Sequence, residues 1–418
     1  MKRFLLIVFR FAYKTIFFIV ALFLFVSLIL YIWAPIYHFP EPKPFSGKNW
    51  HNPYQHLDTL NWKRANFHGH TNAWGKVADG KKTTIDDILR VYGKELNYDI
   101  YSISNYQKIT IPKGEEATWI PGYEHGFSIK KAHHVIIGAD KVVWYDLPFF
   151  QSTHHKQYIL NQLKGHSDIV AIAHPGFRNG FNTRDLEKLG NYDLFEVLNN
   201  FITSSELWDV ALSSGHKAYL LADDDVHNFT NTNETGRKFT MIHASTTERK
   251  DVTSALKAGH SYGVDLKLID QEPLVNKRKR IDSLPVPKFI KLAGDTLWAM
   301  VGDTNTHYRF IGQEGKVLAE TNGEDSVSYI LKPEDTYVRV TAMLADSTLY
   351  FFNPVIRYDK TVPENISEAT INQPITWILR SIGTIILIVF FFSYFKRRRR
   401  NARKARRLRL LKTTPRNW

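Results

Sequence analysis

Six stretches of the chain set imidazole or carboxylate groups at the end of a short apolar, strand-like run. They are Phe67-His68-Gly69-His70, Gly122-Tyr123-Glu124, His133-His134-Val135, Ala173-His174-Pro175, Phe195-Glu196-Val197 and Asp223-Asp224-Asp225-Val226-His227. With 17 histidines in 418 residues, one His-x-His triplet says little. The ordered set is the signal. An extended backbone points residues i and i+2 to one side, so His68 and His70 can offer two imidazoles to one ion, with Gly69 leaving the backbone uncrowded. Asp225 and His227 repeat that geometry, and Glu124 can bridge two cations through its two oxygens. The chain has no cysteine, so any ion must be held by His and carboxylates. Such a donor set suits Zn, Mn or Fe. Two or three ions about 3.5–4 Å apart would serve hydrolysis of a phosphoester or of an activated carbonyl.

The neighbouring residues divide into candidates and bystanders. His134 is expected to point inward rather than His133, because it adjoins the apolar run Val135-Ile136-Ile137. Glu196 is either a carboxylate orienting a ligand histidine or a strand-end acid. Alternation turns Asp224 away, and Asp223 reads as structural. Arg178 and Arg237 are candidates for bidentate contact with a phosphate. His154-His155 reads as a solvent-exposed pair before a helix.

The elements that must position these groups alternate. Short β-rich runs end near residues 67, 104, 138, 173, 198, 222 and 244, and helical stretches lie at 83–96, 156–164, 204–213 and 248–258. The Thr-Thr-Ile-Asp-Asp start of the first has a capping signature. Ligands that follow at least five strands favour a barrel over an open sheet. Residues 265–287 are polar and basic and read as a connector. From 288 to 360, alternating segments separated by Gly, Asn and Asp turns predict a small antiparallel, sandwich-like β domain. Residues 34–60, rich in proline and aromatics, predict an extended tether.

Net charge is +14, but it lies at the ends. Residues 1–14 carry four Lys/Arg and 396–418 carry twelve, with no acid in either, which leaves the other 381 residues at −2. No nucleic-acid partner is expected. Thr15–Trp33 and Ile375–Phe395 are each long enough to cross a bilayer core. The first lacks a small-x-small cleavage site and reads as an uncleaved anchor. Arg380, inside the second, is expected to snorkel to the interface. With both basic ends cytoplasmic under the positive-inside rule, residues 34–374 fall outside the cytoplasm, and membrane lipid becomes a partner through two helices and the basic tail. A small molecule or surface polymer is the expected substrate.

The order His68-Gly-His70-Thr71, Glu124, His134, His174-Pro175, Asp225-x-His227 resembles the polymerase and histidinol phosphatase (PHP) family, in particular its carbaryl-hydrolase-like branch, over about residues 62–264. Gly236-Arg237-Lys238-Phe239-Thr240 and Leu256–Tyr262 are similar to later segments of the family, and Tyr337–Val340 with Asn353-Pro354 resembles the β domain that follows in that branch. The resemblance implies a distorted (β/α)7 barrel with two or three divalent ions and a metal-bound water as nucleophile. It assigns His68, His70, Glu124, His134, His174, Asp225 and His227 as ligands, and matches Asp79 to the acidic position after His-x-His-Thr. Where the family has Thr-Asp-His, this chain has Ser104-Asn105-Tyr106. One metal-binding histidine is absent there, and a two-ion centre is the expectation. The function expected is a membrane-anchored extracytoplasmic phosphoesterase. An amide, ester or carbamate hydrolase on the same centre, and a non-catalytic metal-containing binding module, are the alternatives.

Overall fold

The computed structural model describes residues 2–413 apart from 76, 79, 116, 303–304, 323–325 and 360–364. It divides into two units, one made of both ends of the chain (1–38 and 370–418) and one of residues 39–369.

In the terminal unit, helices Lys2–Trp33 and Gln373–Thr413 contain apolar spans long enough to cross a membrane, Phe4–Trp33 and Gln373–Arg407. Short strands Tyr37–His38 and Thr370–Ile371 pair beside them. Arg380 finds a protein partner rather than only an interface. Its Nη2 and Nε donate to the Trp33 carbonyl at 2.6 and 3.1 Å, at the C-terminal end of the first helix, where a cation also suits the helix dipole. Its guanidinium lies over the Trp33 and Trp377 rings. Gly383 permits the close approach, since a Cβ there would stand 2.8 Å from Ile32 Cγ2.

The 39–369 unit is mixed α/β. One sheet orders strands Tyr219–Ala222, Leu194–Asn199, Ser167–Ala173, His133–Ala139 and Gly122–His125. The first three run parallel and the last two antiparallel. A second sheet holds Ile100–Tyr101, Trp62–Asn66, Lys238–His243 and Ser261–Asp265, and continues through Leu349–Phe352 into the C-terminal strands. The strand ladders therefore do not close into the expected barrel among the described residues; two isolated bridges, Gly69 with Val226 and Tyr106 with Glu124, join the sheets. Of the antiparallel strands from Phe289 to Tyr358, Phe289–Ala293, Thr296–Met300 and Val327–Ile330 form a three-stranded sheet of their own, and the others share a sheet with the α/β part through the pairing of residues 349–352 with 262–265. The 265–287 stretch contains a helix, Leu274–Asp282, and within 34–60 the strand Asn49–His51 pairs with Val355–Tyr358.

Strand parity explains the layers. Val135, Ile137, Ile169, Ala171, Ala173, Leu194 and Leu221 pack in one core with Ala65, Phe67 and Ile242 of the other sheet. Ile136, Val170, Ile172, Phe195 and Leu220 face the opposite way, onto Ile159, Leu160 and Leu163 of helix Thr153–Lys164 and Trp208, Ala211 and Leu212 of helix Ser205–Ser213. Both faces are buried, so these strands read as continuous apolar runs. The stretch expected as a helix at 83–96 is a capped turn, Ile85–Ile88, followed by a wider one over Leu89–Glu95. His155 caps helix Thr153–Lys164 rather than lying free: its Nδ1 accepts from the Ser152 N–H at 3.2 Å, and the His154 ring lies against Phe39.

Candidate metal centre

The inward face of these strands carries the chemistry. Glu124 stands opposite Val135, and His133 opposite Ala173, so both share the parity of the inner core. His134 stands opposite His125 and Ile172, on the helix-facing side. The sequence expectation is corrected here: His133, not His134, reaches Glu124, its Nδ1 bonded to Glu124 Oε1. His134 is fully buried against Phe181 and beside His125. The physical reason is alternation, because His133 is two residues from inward-facing Val135.

The structure brings His68, His70, Glu124, His174, Asp225 and His227 together in overlapping groups of possible ligands. His68 Nε2 lies 3.4 Å from Glu124 Oε2 and 3.3 Å from Asp225 Oδ1, and His70 Nε2 lies 3.2 Å from each. Among the described residues none of these four atoms has a hydrogen-bond partner, although all four residues are nearly fully buried. Leaving such groups unsatisfied is costly. Ligands near 2.05 Å from one ion stand about 3.3 Å apart, so these four distances match the spacing of donors on a divalent cation. Glu124, His133 and His174 form an adjoining group, with His174 Nε2 at 3.1 Å from Glu124 Oε1. His70, Asp225 and His227 form a further one, and His68, His174 and Asp225 another that shares its residues with the rest.

Glu196 supports the cluster from behind. Its Oε1 accepts from His68 Nδ1 at 2.8 Å, and its Oε2 accepts from the His174 N–H at 2.6 Å and Asn199 Nδ2 at 3.2 Å. Asn199 Nδ2 also donates to Asp225 Oδ2 at 3.1 Å. This settles Glu196 as an orienting carboxylate. Asp223 Oδ1 accepts from the Phe67 N–H, and Asp224 accepts from the N–H groups of Gly236, Arg237 and Lys238, so both are structural. His174 and Asp225 are held at φ 28° and 51°, positions that cost about 1–3 kcal/mol each and concentrate at functional sites.

Electrostatically the cluster is built for a cation. Burial opposes a charge on Glu124, yet His133 and His68 hold its carboxyl well below the usual range. Burial likewise opposes a charge on Asp225, and His68 and His70 outweigh it. Burial also disfavours protonated His68, but Asp225, Glu196 and Glu124 raise its pKa well above the ordinary value. His133 is pushed down to about 4, chiefly by burial.

The centre opens into a cavity of about 440 Å³ lined by Tyr106, Lys131, His133, His174, Phe177, Arg178, Phe201, Asp225 and His227, with Gly80, Lys81 and Lys82 also on its wall. Arg178 therefore lies at the site, in a left-handed turn at φ 51°. Arg237 does not line this cavity. Its guanidinium turns instead to Asp265 at 3.4 Å, while its N–H donates to Asp224 Oδ1. Asp79 lies outside the described residues. Sequence reasoning missed His133, Lys131, Phe177 and Phe201, and none of the four left a usable local signal.

No family model matches the sequence, and no curated protein matches it. Among solved structures, the chain is similar to a two-domain protein from Bacteroides vulgatus containing a predicted PHP-like metal-dependent phosphoesterase, at 12% identity and a TM-score of 0.37, over 76% of this chain and 100% of that one.

Proposed function

We propose that the chain is a membrane-anchored, metal-dependent hydrolase of the PHP type, a phosphoesterase, placed in the carbaryl-hydrolase-like branch. One observation carries this reading. The buried Nε2 atoms of His68 and His70 each lie 3.2–3.4 Å from carboxylate oxygens of Glu124 and Asp225, and none of the four atoms has a hydrogen-bond partner among the described residues. These four residues would hold one divalent ion, and Glu124, His133 and His174 a second, drawn from Zn, Mn or Fe. Ions held there would acidify a water and offset charge on an attacked phosphoryl group. The two isolated bridges support reading the sheets as parts of a distorted (β/α)7 barrel.

The chain's own groups supply the rest. Glu196 fixes the His68 ring with its proton on Nδ1, which leaves the Nε2 lone pair facing Glu124 and Asp225. Lys131 and Arg178 offer cations to phosphoryl oxygens at the cavity wall, where Arg178 can grip two oxygens at once. Phe177 and Phe201, their rings 5.2 Å apart, present an apolar surface for a leaving group and exclude water from it. The two apolar helices would anchor the chain with both termini cytoplasmic and the 39–369 unit outside, near lipid or a surface polymer.

The test is turnover by detergent-solubilised full-length protein, loaded with Mn or Zn, of an aryl phosphate, a bis-aryl phosphodiester and an aryl acetate. Phosphate or diester release that His68→Ala abolishes is the expected result. Acetate cleavage alone would transfer the assignment to a carbonyl hydrolase. No turnover despite bound metal would leave a binding module.

A further inference from the structure

The third group of possible ligands, His70, Asp225 and His227, has a protein occupant. The Tyr106 ring stacks on the His70 imidazole with centroids 4.6 Å apart and planes at 27°, and meets the His133 ring edge-on at 5.6 Å. Its hydroxyl lies 3.3 Å from His227 Nε2. The other ring nitrogen, Nδ1, lies 3.0 Å from the Asp225 backbone carbonyl and 3.6 Å from Asp225 Oδ1. A carbonyl oxygen only accepts, so Nδ1 carries the proton and Nε2 accepts the phenolic O–H. The lone pair that an ion would require is already engaged.

The phenol is also fixed from its backbone. Tyr106 pairs with Glu124 in a parallel bridge, and its carbonyl accepts from Trp74 Nε1 at 2.7 Å. Neighbouring Asn105 is locked between Thr71 and Thr110: its Nδ2 donates to both hydroxyls at 2.8 and 2.9 Å, and its Oδ1 accepts from the Thr71 N–H at 2.8 Å. The Tyr106 backbone is thereby held in the joint between the two sheets. The Lys131 ammonium, 5.4 Å over the Tyr106 ring, covers it from the cavity side.

We propose that Tyr106 and His227 form a hydrogen-bonded pair that closes the third position, so that the centre takes two divalent ions and His227 is a positioning group, not a ligand. This rests on the metal-centre reading above. The pair holds the Tyr106 ring against His70 and thereby fixes the orientation of a ligand of the first ion. The cavity side that remains open is the one bearing Lys131 and Arg178.

The experiment is elemental analysis of detergent-solubilised full-length protein, saturated with Mn²⁺ and desalted, for the wild type and for His227→Ala. Two ions per chain in both is the expected result. Three ions in the wild type, or loss of an ion in H227A, would overturn the proposal while leaving the metal-centre reading intact. No ion in the wild type would overturn both. His227→Gln, which keeps a partner for the phenol, serves if the alanine variant does not fold. Tyr106→His, which trades the phenol for an imidazole, should admit a third ion; a count unchanged at two would show that Tyr106 does not set the number.

Discussion

Glu196→Gln is isosteric and removes one charge, yet its effect should reach the metal through a proton. The wild-type carboxylate accepts on both oxygens, from His68 Nδ1 at 2.8 Å and from the His174 N–H at 2.6 Å. A glutamine has one accepting oxygen. If that oxygen keeps the His174 N–H and Asn199 Nδ2, the amide nitrogen must face His68 Nδ1, which then has to accept. The imidazole proton moves to Nε2, the atom aimed at Glu124 Oε2 and Asp225 Oδ1. Its lone pair is lost to the ion unless the ring turns or the tautomer is paid back. Loss of such a supporting partner costs roughly 10–100-fold in metal affinity, or about 1.4–2.7 kcal/mol. Competition against a chromophoric chelator would measure it, with thermal unfolding of the metal-free protein as a control for the fold. Affinity within twofold of wild type in a folded variant would refute the argument, because the orienting role of Glu196 would then be empty.

Other consequences follow from particular contacts. His133→Ala should abolish binding of one of two ions, whereas His134→Ala should leave metal content unchanged and act only on stability; elemental analysis of both variants checks the parity assignment. Asp209→Ala should destabilise the 39–369 unit by about 3–5 kcal/mol in denaturant unfolding, since it strands buried Arg339, whose Nε and Nη2 donate to Asp209 at 2.7 and 2.6 Å. Stability should also fall in acid through His155, which burial pushes from 6.5 down to about 4. Because its folded pKa is depressed, this contribution is complete above pH 6.5 and is lost as pH falls toward 4, by about 1–2 kcal/mol once its half-buried position is allowed for. His155→Gln should flatten that part of the pH profile.

The sequence carried the site further than the architecture. His68, His70, Glu124, His174, Asp225 and His227 each close an apolar run, and strand ends converge where those runs lie side by side. His133 was concealed because Val135, Ile136 and Ile137 are all apolar in a strand buried on both faces, which erases the period-two signal. Parity had to be counted from the partner strands instead. Arg237 was misplaced for a different reason: nearness to Asp225 in the sequence does not fix where a side chain points, and its guanidinium turns to Asp265 while its N–H is held by Asp224. The pairing of Leu349–Phe352 with Ser261–Asp265 spans more than eighty residues, and no local pattern encodes it. Arg380 was legible as a problem, a charge in an apolar span, but its solution lies on a helix end 347 positions earlier.

The central claim is that the buried His and carboxylate donors hold two ions. Anomalous diffraction from crystals of Mn- or Zn-loaded protein tests it most directly. The account predicts two peaks, one among His68, His70, Glu124 and Asp225 and one among Glu124, His133 and His174. Full metal loading with no peak at either position would contradict it.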